Sequence, residues 1–166
     1  MNRVLRVPVL VPALAGTGLL GFWLGLRTES LSLWKATLGV PLAVLGAALI
    51  SAPALYIGAA VVRAAPSPGA VLSGLARGLD DAGLALLGLL PAILFLGATA
   101  RRAEVAAVVA LAALAGSMLF GLRLLYGRVF PTVEARVRAL PVFGAWAAVS
   151  LGIGLMMLIR VLELRP

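Results

Sequence analysis

The sequence contains no cysteine and no histidine. Without cysteine the chain can form no disulfide, no thiolate nucleophile and no cysteine metal site. Without histidine it lacks the usual axial ligand of haem, the commonest zinc ligand and the commonest general base. These two absences predict a protein that holds no metal and no cofactor and that has no catalytic residues.

Charge is scarce as well, and it is segregated. Charged residues make up 12% of the 166 residues, and Lys35 is the single lysine. Five long stretches carry no charge at all: 7–26, 36–62, 82–100, 105–122 and 139–159. A bilayer core about 30 Å thick needs roughly 20 apolar residues in a helix. The sequence therefore predicts five membrane spans.

The overall composition agrees with this interpretation. The chain is 63% hydrophobic, whereas soluble domains are about 45–50% apolar. Five spans and their short connectors use nearly the whole length, so we expect a single transmembrane domain over 1–166. The predicted fold class is all-α: a polytopic transmembrane bundle of about five helices with short loops.

Two connectors are expected to form interfacial helical extensions, at 69–81 and 131–140. Ser67 is suited to cap the first extension with Pro68 at its first helical position, and that helix is expected to continue into the third span. Pro131 fits the first turn of the second extension, and the fifth span is expected to begin near Pro141.

The net charge of +8 indicates an acidic partner, either nucleic acid or anionic lipid. The basic residues stand singly or in pairs beside apolar stretches, where their side chains can reach lipid headgroups. We therefore expect the lipid bilayer, and no nucleic acid, as the partner of these charges.

Orientation follows from the same residues. Eight of the fourteen basic residues would lie on the side of the N-terminus and six on the other, so the positive-inside rule predicts a cytoplasmic N-terminus. Abundant arginine, alanine, leucine and glycine with a single lysine is typical of a high-GC bacterium, which predicts the bacterial inner (cytoplasmic) membrane as the location.

Small residues recur every four positions in four of the five stretches. Spacing of four places them on one helix face, where a neighbouring backbone can approach closely. The predicted helix-packing residues are Thr17, Gly21, Gly25, Gly39, Ala43, Ala47, Ser117, Gly121, Gly144, Ala148 and Gly152. A bundle of five helices needs only two or three such stripes, so a remaining stripe could face a partner protein.

A second candidate feature is a cavity inside the bundle. Pro53 interrupts the second stretch between Ser51 and Tyr56, and Pro91 stands in the middle of the third. Broken helices near the membrane midplane mark substrate sites in transporters. The alternative is that these prolines are simply tolerated, as proline often is in membrane helices.

Asp80 and Asp81 are the only adjacent carboxylates. They could form a cation or proton site at the bilayer edge, or they could lie on a solvated helix with Arg77 as their local ion-pair partner. The second interpretation is favoured, because only Glu104 and Glu134 could add further ligands for a metal ion.

One family resemblance can be identified. The segments Pro53-Ala54-Leu55-Tyr56, the turn at 66–68 and Leu89-Leu90-Pro91-Ala92-Ile93-Leu94 resemble bacterial members of the Yip family, which are five-span membrane proteins. The resemblance covers about a quarter of the chain, and the family's longer soluble N-terminal segment is missing. It implies a non-enzymatic role in membrane organisation or protein partnering.

Uncharged spans and minimal loops lead to two hypotheses of function. The first is a non-catalytic structural or accessory subunit, or a scaffold, of a larger assembly of membrane proteins. The alternative is a transport component, either a transporter or a substrate-binding membrane subunit, for a neutral or lipid-like solute. An intramembrane enzyme is the least favoured, because Ser51, Ser117 and Ser150 have no histidine or in-span lysine beside them.

Overall fold

Five α-helices form the protein, as a computed structural model that describes residues 10–27, 32–64, 67–100 and 103–161 shows. They are α1 (Val11–Arg27), α2 (Leu33–Val61), α3 (Pro68–Thr99), α4 (Ala103–Val129) and α5 (Val133–Val161). The prediction of an all-α helical bundle is confirmed. Positions 7–9 of the first predicted span lie outside the described residues.

Four of these helices, α2 to α5, are long enough and apolar enough to cross a membrane. The protein is therefore an integral membrane protein with several spans. Helix α1 has 17 described residues and is not among the four. The prediction of five spans is thus confirmed in part, and a crossing by α1 stays a prediction.

The start of α3 agrees with the sequence pattern. The hydroxyl of Ser67 accepts a hydrogen bond from the backbone N–H of Ala70, and Pro68 occupies the first turn. This is an N-cap with proline where the missing N–H costs nothing. From there α3 runs without interruption to Thr99, so the extension over 69–81 and the third apolar stretch form one helix.

The start of α5 corrects the prediction for 131–140. Pro131 precedes the helix, whereas Thr132 accepts a hydrogen bond from the backbone N–H of Ala135 and Val133 is the first helical residue. The helix then continues through Pro141 to Val161. A proline removes one backbone hydrogen bond, and membrane helices tolerate this loss, so the interfacial extension and the fifth span are a single helix.

The helices have a definite order around the bundle. Helix α1 packs extensively against both α2 and α3, α2 packs against α5, and α3 packs against α4. Direct contact between α2 and α3 is sparse, and so is contact between α4 and α5. The sequence around the bundle is therefore α5, α2, α1, α3, α4, and its two ends, α4 and α5, scarcely meet.

Glycines allow the tightest helix contacts. A Cβ atom added at Gly16 of α1 would lie 2.7 Å from the carbonyl oxygen of Gly83 in α3, and one added at Gly83 would overlap the backbone of Pro12. A Cβ atom added at Gly21 would likewise overlap the backbone of Ala36 in α2. Apolar helices gain no hydrophobic free energy by associating in lipid, so dispersion forces hold them together. Because these forces act only at short range, the helices must come as close as the glycines allow.

We expect Gly83→Ala to destabilise the bundle. The added methyl group would meet backbone atoms that cannot rotate away, at a cost of about 1–3 kcal/mol. Gly88→Ala on the same helix is the matched control, since apart from the backbone of α3 itself and the adjacent residues no described atom lies within 4 Å of its Cβ position. Thermal unfolding in detergent should show a lower Tm for Gly83→Ala alone; equal Tm values for the two variants would contradict the contact.

Candidate apolar chamber

An apolar chamber of about 290 Å³ lies inside the bundle, between α2, α3, α4 and α5. Helix α1 contributes no lining residue, because it packs behind α2 and α3. The inner walls come from α2 and α3 and include Ala43, Ala47, Ser51, Gly78 and Ala82. The outer walls come from α4 and α5 and include Ala115, Leu119, Trp146, Ser150, Leu151 and Leu155.

Each end of the chamber is closed by a cluster of buried side chains. Towards the α4–α5 loop the cluster contains Leu55, Leu75, Leu125, Phe130, Phe143 and Trp146, with Tyr126 packed against it. Towards the other side of the membrane it contains Leu20, Trp23, Val40, Leu86, Leu114 and Leu158. The chamber is the unfilled length between these two clusters.

Helices α4 and α5 are fastened to each other near the loop that joins them. The guanidinium group of Arg136 donates from Nε to the carbonyl of Phe130 (2.8 Å) and from Nη2 to the carbonyl of Gly127 (3.3 Å). It thereby satisfies carbonyl groups at the C-terminal end of α4, where a positive charge is also favoured by the helix dipole. The hydroxyl of Tyr126 donates back to the carbonyl of Arg136.

Aromatic rings add to the contacts near the loop between α4 and α5, and this end of the two helices is called the corner. The ring of Tyr126 lies 4.8 Å from that of Phe143, and Phe143 in turn lies 5.4 Å from Trp146. Offset and tilted pairs at these separations are favourable. Because contact between α4 and α5 is otherwise sparse, the two helices separate with distance from this corner.

The opening of the chamber lies where α4 and α5 have separated. Its lining residues on α2 and α3 are buried or half-buried, whereas Ala115, Leu119, Leu151 and Leu155 on α4 and α5 are exposed. Leu119 is 57% exposed and Leu155 is 54% exposed. These four residues form the mouth of the chamber, which faces the surroundings of the bundle at the depth of the apolar stretches.

The polar groups in the chamber wall are already hydrogen-bonded within the protein. The hydroxyl of Ser51 donates to the carbonyl of Ala48, and that of Ser150 donates to the carbonyl of Trp146. The indole Nε1–H of Trp146 donates to the carbonyl of Ser51 at 2.7 Å. This last bond crosses from α5 to α2, and it satisfies a buried donor that would otherwise be costly.

The two adjacent carboxylates lie outside the chamber and face different helices. Asp81 forms an ion pair with Arg128 of α4, whereas the backbone of Ala13 in the first turn of α1 hydrogen-bonds to the Asp80 carboxyl. Oδ1 of Asp80 is buried without a hydrogen-bond partner among the described residues. Ion pairing thus takes place between helices at Asp81, where the sequence had suggested a local pair with Arg77.

The four residues predicted to line a cavity are only partly brought together. Ser51 lines the chamber, but Pro53, Tyr56 and Pro91 are exposed and are not part of its wall. The residue that sequence reasoning missed is Trp146. Its apolar surroundings gave no signal, because its partner Ser51 is 95 positions away in the chain.

The predicted packing residues fall into four groups. Gly21 and Gly25 face α2, Gly39 faces Val161 of α5, and Gly121 faces Gly78 of α3. Thr17 and Ser117 are buried and hydrogen-bond within their own helices, while Ala43 and Ala47 line the chamber.

The fourth group, Gly144, Ala148 and Gly152 of α5, is exposed on the outside of the bundle. Sequence reasoning missed Gly16, Gly78 and Gly83. The spacing of four from Gly74 through Gly78 to Ala82 was a signal for the second of these.

Comparison with protein-family models, with curated proteins and with solved structures finds no match to this chain.

We expect Trp146→Phe to weaken the link between α5 and α2. The substitution keeps an aromatic ring but removes the hydrogen bond to the Ser51 carbonyl, which should cost about 1 kcal/mol. Trp34→Phe is the matched control, because Trp34 is 74% exposed. Thermal unfolding should show a lower Tm for Trp146→Phe only; a larger loss for Trp34→Phe would contradict the inferred role.

Proposed function

We propose that this chain is a non-catalytic subunit or scaffold of a larger membrane assembly and that the outer face of α5 contacts another membrane protein. The observation that carries the proposal is the placement of Gly144, Ala148 and Gly152. Apart from the backbone of α5 itself and the adjacent residues in the chain, no atom of the described residues lies within 4 Å of a Cβ position at either glycine, and Ala148 is exposed. These three residues are called the open stripe.

The open stripe differs from the stripes on the other helices. In α1 and α4 the small residues are covered by a neighbouring helix of the same chain, as Gly21 is by α2 and Gly121 by α3. Small residues at spacing of four support close contact between membrane helices. Since no helix in the described part of the chain covers the open stripe, a helix of another protein is the occupant that we propose.

This role matches what the resemblance to the Yip family implies, namely membrane organisation through protein partners. The structural observation that supports the proposal is the open stripe. The test uses protein purified from the membrane of the source organism.

We expect Ala148→Leu to release the partner. A leucine in the middle of the open stripe would hold a second helix away and remove the close contact. Purification in mild detergent, followed by native mass spectrometry, should find a partner in fixed stoichiometry with the unaltered protein and a much smaller amount with Ala148→Leu.

Ala112→Leu on α4 is the control, because Ala112 is exposed and lies outside both the open stripe and the chamber. It should retain the partner. Recovery of the unaltered protein as a stable monomer, or equal loss of the partner in both variants, would contradict the proposal.

A second candidate function is favoured by the chamber. A transport component, either a transporter or a substrate-binding membrane subunit, for a neutral or lipid-like solute needs a site within the apolar part of the bundle. A chamber of about 290 Å³ with a mouth between α4 and α5 supplies one. The volume is close to the lower end of the range of about 300–1,000 Å³ that small-molecule sites occupy.

A further inference from the structure

We propose that the chamber binds one acyl chain of a membrane phospholipid, which enters sideways from the bilayer between α4 and α5, and that Arg123 binds the phosphate of the same lipid. This inference rests on the second candidate function, since it names the ligand of that chamber. It does not require that the lipid is transported.

The hydrogen bonding of the wall selects a hydrocarbon ligand. Ser51, Ser150 and Trp146 are the side chains in the wall that carry a donor group, and each donates to a backbone carbonyl of the protein. A sugar, a peptide or a nucleobase would lose its hydrogen bonds to water without replacing them. An acyl chain loses none.

The size and shape of the chamber select a chain of moderate length. A cavity of about 150 Å³ accommodates one benzene ring, so the chamber of about 290 Å³ has room for about a dozen carbon atoms. Its wall on α4 extends from Leu111 to Leu125, which is about 21 Å of helix. A volume that is small for this length fits a linear chain better than a compact ring system.

The mouth provides a route from the bilayer. The four mouth residues are all apolar, and they lie on uncharged stretches that the lipid chains surround. An acyl chain can therefore pass from the bilayer into the chamber without crossing a charged or hydrogen-bonding barrier. Each methylene group buried from water in a binding site contributes about 0.8 kcal/mol, but in lipid the gain comes from filling the void and restoring dispersion contacts.

A charge at the edge of the mouth indicates which lipid supplies the chain. Ala115, Leu119 and Arg123 follow one another at spacing of four on α4, so they lie on one face. Arg123 is exposed and directly follows the uncharged stretch 105–122. A guanidinium group one turn above an apolar mouth is placed to bind a phosphate while the chain below it enters the chamber.

The test uses the full chain, freed of lipid in mild detergent and titrated with dimyristoyl phosphatidylglycerol while native mass spectrometry counts the bound lipids. We expect one tightly bound lipid on the unaltered protein. Ala115→Phe narrows the mouth and should weaken binding at least tenfold. Ala98→Phe, at an exposed position of α3 outside the chamber wall, should leave binding unchanged.

A second arm separates the phosphate from the chain. Arg123→Gln should weaken binding of phosphatidylglycerol several-fold and should not alter binding of a diacylglycerol with the same chains. The proposal is overturned if both lipids bind equally to every variant. It is also overturned if a second copy of the protein, or another protein, occupies the chamber in place of lipid.

A third measurement keeps the test independent of the folding of Ala115→Phe. In vesicles of phosphatidylglycerol that is brominated at the middle of its acyl chains, the fluorescence of Trp146 should be quenched. This fluorescence is obtained as the difference between the unaltered protein and Trp146→Phe. Absence of quenching in the folded, unaltered protein would show that no chain enters the chamber.

The outcomes for the inference and for the second candidate function differ. A bound lipid that gives no lipid flux between vesicle leaflets would remove the transport function and leave the acyl-chain site standing. Flux of a compact neutral solute through a protein that binds no lipid would support the transport function and would overturn the acyl-chain site.

Discussion

Helix α1 is held against both of its neighbours by direct contact between backbones, at Gly16 with Gly83 of α3 and at Gly21 with Ala36 of α2. Since α2 and α3 touch each other only sparsely, these two contacts set the distance between them. Helix α5 packs against α2, and helix α4 packs against α3. The separation of the two helix pairs, and therefore the width of the chamber between them, depends on how closely α1 packs. A carboxyl group supports this arrangement, because Asp80 of α3 is hydrogen-bonded by the first turn of α1, where the helix dipole favours a negative charge.

The chamber is a consequence of fastening α4 to α5 at one end only. Arg136, Tyr126 and the rings around Phe143 lock the corner between these helices, and no comparable set of contacts joins the described parts of α4 and α5 farther along. Two helices that touch at one end only enclose a wedge-shaped space between them. Side chains, lipid or another helix must fill such a space, because an empty space forfeits dispersion contacts. Near the corner the aromatic cluster fills it. Towards the far end the buried cluster that contains Leu114 of α4 and Leu158 of α5 does so. Between them the small residues of α2 and α3 leave the space open.

The architecture could be predicted from the sequence to a large extent, because the segregation of charge marks apolar helices independently of their packing. The start of α3 at Ser67 and Pro68 followed from local chemistry in the same way. The arrangement of the helices could not be predicted, since a stripe of small residues shows that a helix face can approach another without naming the other helix. Thus Gly21 and Gly144 carry the same local signal, yet one is covered by α2 and the other by nothing in the described bundle. The cavity prediction relied on prolines, whereas the wall of the observed space contains Trp146 and Ser51, which are hydrogen-bonded across the bundle. Such a long-range contact leaves no local trace in the sequence.

The open stripe is on the same helix as Leu151 and Leu155, two of the four mouth residues, and this couples the two proposals. Leu151 and Leu155 of the mouth follow Ala148 and Gly152 of the stripe by three residues, so they are neighbours on the helix surface. A partner helix lying along Ala148 and Gly152 would therefore also cover one rim of the mouth. A lipid chain in the chamber and a partner on α5 must then affect each other's binding by the same free energy, as linkage requires. If the partner packs over Leu151 and Leu155, it extends the wall around the bound chain and both bind more tightly. If it needs the space in front of the mouth, each excludes the other. In either case binding of the acyl chain is coupled to formation of the assembly, so the assembly responds to the lipid around it.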